Sequence, residues 1–216
     1  MTSKNFSLRL VAVAALLGLS GVSQAALTVY TTEASFLAAV SNAGTDDFSG
    51  LAPGDLGSPV SRSTLTNGYT YDASAPLNVY GIAGAPNWLS VVDAADTLSL
   101  GNFGGGVRAV GGTFFNTDVG GALSGGNVTV TGNDGGAPVS VFIISANTGS
   151  FVGFVSSGLI GSVTLVSDNS NSVDPNFLYP TTGKLVLASA VPEPETYALM
   201  LAGLGLVGFL ARRRRA

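Results

Sequence analysis

Histidine and cysteine are both absent from the 216 residues, and only 10% of the chain is charged. Without imidazole there is no Ser-His-Asp triad, no histidine base and no histidine metal ligand; without thiol there is no cysteine nucleophile or thiolate zinc site. Disulfides are excluded as well, so the fold must be held by its core or by ions. Cations are scarce in the body. Between Ala26 and Val191 only Arg62, Arg108 and Lys184 are basic, against eleven acidic residues, a net charge of −8. Three scattered cations cannot track a phosphate backbone, so no nucleic acid is expected as a partner. What is present is 46% hydrophobic residues and 30 glycines. That is too apolar for a disordered chain and long enough for one domain with a real core.

The remaining basic residues lie at the two ends. Lys4 and Arg9 precede the apolar run LVAVAALLGL, and small residues follow at Ser23 and Ala25. A basic region, a short apolar region and small residues form the three-part pattern of a secretory signal. Cleavage is predicted between Ala25 and Ala26, and residues 1–25 are set aside as a signal peptide.

At the other end, an apolar run extends over the 16 residues from Thr196 to Ala211. At about 1.5 Å per residue it covers about 24 Å of a hydrocarbon core about 30 Å thick. Arginine snorkelling and local bilayer thinning bridge the shortfall, which suits a transient anchor in the inner membrane. Arg212, Arg213, Arg214 and Arg215 are costly to translocate, so they stay cytoplasmic and leave the body outside. The run contains GLGLVG, but a dinucleotide site needs G-x-G-x-x-G between a strand and a helix of a βαβ unit. Here the glycines are read as close-packing positions in a membrane helix. Just upstream, Pro192 and Pro194 remove backbone donors and force an extended segment that a processing enzyme can grasp.

Val191-Pro192-Glu193-Pro194, an apolar helix and a terminal basic cluster, in that order and together with a signal peptide, resemble the PEP-CTERM sorting signal. The resemblance covers residues 191–216. It implies that an exosortase recognises Pro192, Glu193 and Pro194 and sends the body through the inner membrane to the cell surface or outside. It also implies a Gram-negative producer of exopolysaccharide and biofilm.

The body, residues 26–190, reads as β almost throughout. LTVY opens it as a strand. Thr32 offers an N-cap and Glu33 sits in the first turn of a short helix, whose apolar stripe Phe36, Leu37 and Val40 is expected to stop at Asn42 and Gly44. Short segments such as LNVYGI, NVTVTG and PVSVFIIS follow, each bounded by Gly, Asn, Asp or Pro. TNGY at Thr66 to Tyr69 predicts a tight hairpin and GNDGGAP at Gly132 to Pro138 a longer one. No fixed repeat period is present, which argues against a β-helix. The expected fold is all-β, an antiparallel jelly-roll-like β-sandwich with one short N-terminal helix.

Carboxylates are the remaining chemistry. Asp46 with Asp47, and Asp93 with Asp96, are pairs of the residue type that cleaves glycosidic bonds, although spacing in sequence does not set their separation in space. Aspartates around a turn also bond local backbone, which is the alternative for Asp93 and Asp96. Calcium is the ion candidate, since it takes oxygen ligands from flexible loops. Asp168, Asn169 and Asp174 are its candidate ligands, in a segment without EF-hand spacing that reads first as solvated turn. Trp88, Tyr69, Tyr71 and Tyr80 are aromatic faces of the kind a sugar uses, but Tyr69 and Tyr71 share a strand face, which favours a core or cross-strand role, and the sequence assigns no aromatic to a site. The expectation is an exported, non-catalytic surface or matrix protein, without a cofactor unless calcium binds. Its role would be adhesion, or structure within exopolysaccharide. The alternative is a glycan-binding, lectin-like module.

Overall fold

The structure is a computed structural model and describes residues 26–84, 86–170, 177–190, 200–205, 207 and 212. The predicted signal peptide with Ala25, the sorting residues Pro192, Glu193 and Pro194, Arg213 to Arg215, and Asp174 lie outside the described residues.

Strand β1 (Leu27–Tyr30) leads into helix α1 (Glu33–Ala38). Thr32 caps the helix as the sequence predicts, its hydroxyl accepting from the Ser35 amide at 3.3 Å. The helix then stops earlier than its apolar stripe suggests. Ala39 is its C-cap, Leu37 is 42% exposed, and Val40–Asp46 forms strand β2 rather than a continued helix. The reason lies far away in sequence. β2 pairs antiparallel with β15 (Tyr179–Ala190), Leu185 opposite Asp46, and that ladder outweighs local helical pattern. Gly44 is required there because a side chain would meet the Thr64 hydroxyl and the Thr66 carbonyl.

The described residues form two antiparallel sheets. The first runs β1, β13 (Phe151–Ser156), β9 (Ala109–Thr117), β15, β7 (Trp88–Val91), β6 (Val79–Ile82) and β3 (Gly54–Gly57). In it β2 lies beside β15, and β10 (Leu123–Ser124) beside β9. The second runs β12 (Val139–Ile143), β11 (Val128–Asn133), β14 (Ser162–Ser167), β8 (Leu98–Gly104), β5 (Thr70–Ser74) and β4 (Val60–Ser63). Alternation turns Leu89, Phe114, Leu185 and Leu187 of the first sheet toward Leu98, Leu100, Val128 and Leu165 of the second, all at most 1% exposed. This is the antiparallel β-sandwich that the strand pattern predicts. The TNGY segment lies in the turn that joins β4 to β5, a four-residue loop over 65–68 closed by the Thr64 amide on the Tyr69 carbonyl, with Asn67 and Gly68 left-handed at φ of 63° and 64°.

A second, smaller cluster covers the outer face of the first sheet. Phe36 from α1 is fully buried against Phe151, Val186, Ala109 and Ala188. Its ring lies directly over Gly111 and Gly153, where any side chain would collide with it. Burying a phenylalanine contributes about 1.5–3 kcal/mol, which ties the helix to β9 and β13.

Candidate functional site

The carboxylate pairs singled out in the sequence do not face one another across a cleft. Asp46 is buried, and its oxygens accept from Arg62 Nε and Nη2, the Tyr71 hydroxyl and the Phe48 amide at 2.6 to 2.9 Å. Burial, then the Asp46 charge, pushes the Tyr71 phenol well above its ordinary value, while the hydrogen bond to Asp46 raises Arg62. Arg62 also lies over the Phe48 ring, 5.4 Å from its centroid. The neighbour Asp47 accepts instead from the Ser49 amide at 2.9 Å, and hydrogen bonds from Ser49 hold its carboxyl below the usual range. Asp93 accepts from the Ala95 amide and Asp96 from the Leu77 amide, both at 2.9 Å, the backbone role that turn aspartates favour.

The calcium candidates are also engaged locally. Asp168 accepts from Ser170 and from Asn127 Nδ2, and hydrogen bonds from Ser170 first and Asn127 next lower its carboxyl. Asn169 clamps a loop: its Oδ1 accepts from the Leu178 amide at 2.8 Å while Nδ2 donates to the carbonyls of Leu178 and Ala94. Among the described residues no three acidic side chains gather as a metal group would require.

Two surface features were not visible in the sequence. On the outside of the second sheet, Asp72 accepts from Ser61 Oγ at 2.6 Å and Asn102 Nδ2 at 2.8 Å, bridging β4, β5 and β8 beside a shallow depression of about 360 Å³. These two hydrogen bonds, Ser61's the stronger, lower the Asp72 carboxyl.

The larger feature is a trough on the outer face of the first sheet. Three hollows of about 180, 250 and 260 Å³ adjoin, the first two sharing Ile82 and Gly121, the second two sharing Pro86 and Trp88. The first is walled by Tyr80 and Tyr179 and the last by Trp88, Phe115 and Lys184. Alternation explains the set. Leu89 points into the core, so its neighbours Trp88 and Ser90 face outward, as do Tyr80 on β6 and Phe115 and Thr117 on β9. The Trp88 ring is held edge-to-face against Phe115, with centroids 4.9 Å apart. Beneath the first hollow, Thr117, Thr181 and Ser90 form a buried hydroxyl chain with 2.9 Å links that ends on the Pro180 carbonyl. The outer wall is the loop after β9, folded back by Asp118, whose Oδ1 accepts from the amides of Gly120 and Ala122 at 2.9 Å. Gly121 closes it at a φ of 79°, a conformation glycine adopts without strain. At the far rim, Lys184 Nζ donates to both Glu33 carboxylate oxygens at 2.7 and 2.6 Å.

The chain continues beyond Ala190, the last residue of β15. Of the predicted membrane helix, residues 200–205 are described and helical, with Met200, Leu201 and Leu204 more than half exposed. Among the described residues no helix is long and apolar enough to cross a membrane. Arg212 is exposed, as is Ala26 at the other end.

Residues 190–215 match the PEP-CTERM protein-sorting motif. The PEP-CTERM motif implies export and processing by an exosortase, and it accounts for the order of prolines, apolar run and arginines that local chemistry alone only suggests. No curated protein matches the chain. Among solved structures, a mutant family 29 carbohydrate-binding module aligns over 79% of this chain and 99% of its own, at 13% identity and a TM-score of 0.28, too slight a likeness to bear on ligand or fold.

Proposed function

We propose that this chain is an exosortase substrate delivered to the cell surface or extracellular matrix, with a non-catalytic β-sandwich that serves adhesion or matrix structure among exopolysaccharide. One observation carries the reading: the PEP-CTERM match begins at residue 190, where β15 and the sandwich end. A cut at Pro192 to Glu195 therefore releases a body whose core is complete. The non-catalytic part is supported by the carboxylates themselves, because Asp46, Asp93 and Asp96 are taken up by backbone and ion-pair partners.

A second reading, a glycan-binding module, is favoured by the aromatic trough beside Trp88. Glycan-array binding with and without calcium separates it from a purely structural role and reports on Asp168, Asn169 and Asp174 as calcium ligands.

The deciding experiment for sorting is the intact mass of the mature protein recovered from its producer, in membrane and secreted fractions. A C-terminus between Pro192 and Glu195 is expected, with any added mass identifying an attachment. A chain that retains Arg212 to Arg215 and occurs only in the membrane fraction would overturn it.

A further inference from the structure

We infer that the trough on the outer face of the first sheet is the binding site for an uncharged saccharide chain, seated along β15 against Tyr179, Tyr80 and Trp88. The inference rests on the glycan-binding reading above and assigns it a place and a ligand class.

The shape points to an extended ligand. The two end hollows touch β15 at Tyr179 and at Lys184, five steps of about 3.3 Å apart, or about 17 Å, and the middle hollow joins them past Ile82, Gly121 and Trp88. A single small molecule would fill one hollow, whereas a linear oligomer spans all three.

The lining points to sugar. The two end hollows combine aromatic walls with polar groups: Tyr80 and Tyr179 stand beside Asp118 and over the hydroxyls of Ser90 and Thr117, and Trp88 stands beside Thr113 and Thr148, while the middle hollow between them is lined by apolar side chains and glycine. Sugar rings present an apolar C–H face to an aromatic wall and hydroxyls to the polar rim, so mixed lining suits them better than it suits an acyl chain. The walls are also set in advance. Trp88 is braced by Phe115, Ser90 and Thr117 by the hydroxyl chain, and the loop after β9 by Asp118, so little ordering is required on binding.

Charge decides between neutral and acidic chains. Lys184 is the cation at the trough and is already paired with Glu33. Asp47 and Asp118 stand at opposite ends, on a body of net charge −8. A uronate-rich chain meets repulsion there and a neutral one does not.

The site also lies away from the tether. Ala190 is six residues beyond Lys184 and eleven beyond Tyr179, about 20 to 36 Å along the strand. The sorting motif begins at residue 190, so its point of attachment lies at the opposite end of β15 from Tyr179.

Trp88 is the single tryptophan, so its fluorescence reads occupancy directly. The full chain, in a detergent without a sugar headgroup, is titrated with short neutral glucan, xylan and mannan oligosaccharides and with oligoalginate, with calorimetry in parallel. A saturable change with at least one neutral probe is expected, affinity rising with oligomer length, and weaker or no response to alginate. Tyr80→Ala, at a residue 40% exposed in the native fold, should weaken binding about two- to ten-fold. Trp88→Phe, read by calorimetry, should weaken it as well, with thermal melts confirming that both variants fold. Saturable binding that neither variant diminishes overturns the trough and leaves glycan binding standing. No binding of any probe overturns both, whereas preference for alginate over every neutral probe overturns the inference of an uncharged chain and leaves glycan binding standing. A fluorescence change that follows protein concentration without saccharide would assign the face to a second copy of the chain and overturn the proposal.

Discussion

Arg62 crosses from the second sheet to the first and grips both carboxylate oxygens of Asp46, Nε at 2.6 Å and Nη2 at 2.7 Å. The Asp46 side chain is 1% exposed and that of Arg62 14%, so water screens the pair little. Such a pair is a weak stabiliser against an apolar replacement of both residues, but removing one partner strands the other charge in the interior. Arg62→Met is expected to lower stability by about 3–5 kcal/mol. Urea unfolding of the two proteins measures the difference, and an unchanged midpoint would show that Asp46 is satisfied without the guanidinium.

Tyr71 gives this cluster a pH signature. Its phenol is raised well above 10.0 by burial and by the Asp46 charge. In the unfolded chain tyrosine ionises near 10, so this contribution to stability is full below pH 10 and is lost as pH climbs toward the folded value. Wild type should therefore lose stability above pH 10 with a slope steeper than that of Tyr71→Phe by about 1.4 kcal/mol per pH unit, the equivalent of one proton. Parallel slopes in denaturant titrations across that range would contradict the assignment.

Helix α1 depends on two glycines in neighbouring strands. Gly111 and Gly153 leave the hole that the Phe36 ring fills, and a methyl on Gly153 would enter the ring itself. Gly153→Ala should cost about 1–3 kcal/mol by overpacking. Combining it with Phe36→Ala should recover part of that loss, a coupling that a double-mutant cycle detects.

Legibility in the sequence follows the range of the interactions. β1, the Thr32 cap and the Asn67-Gly68 turn were readable because each is decided within a few residues. The strand β2 was not, since Asn42 and Gly44 look like a helix stop until β15 arrives from 140 residues away to pair with them. The Arg62–Asp46 pair, although only 16 residues apart in sequence, joins strands of different sheets, and the trough likewise depends on how the sheets assemble. Tyr80, Trp88, Phe115 and Tyr179 lie on four strands, and only the sheet order makes them neighbours. The sorting segment was legible for the opposite reason: its chemistry is contiguous.

Asn169, read from sequence as a calcium ligand, is built into the backbone in a way that predicts a structural effect. Its amide group bonds the Leu178 amide and carbonyl and the Ala94 carbonyl, joining the segment after β14 to the start of β15 and to the turn before β8. Asn169→Ala leaves those part-buried groups without these partners, at a cost of about 1–3 kcal/mol. The loss should be the same in calcium and in chelator, because the three bonds are made within the protein. A loss seen only in calcium would restore Asn169 as a ligand.

The last prediction separates the fold from its address. The buried apolar side chains of the sandwich lie between Phe36 and Ala188, and β15 ends at Ala190. A chain truncated after Val191 keeps all of them and should match the full chain in unfolding free energy to within about 0.5 kcal/mol. Its fate should differ: without the apolar run and the arginines nothing retains it at the membrane, and without Pro192 to Pro194 nothing is cut. It should appear outside the cell with the mass of residues 26–191. Glu193→Ala, which keeps the anchor, should instead accumulate in the membrane fraction with its arginines intact. If both variants yield the wild-type mature mass in the wild-type place, the Pro-Glu-Pro segment does not direct processing, whatever the sandwich binds.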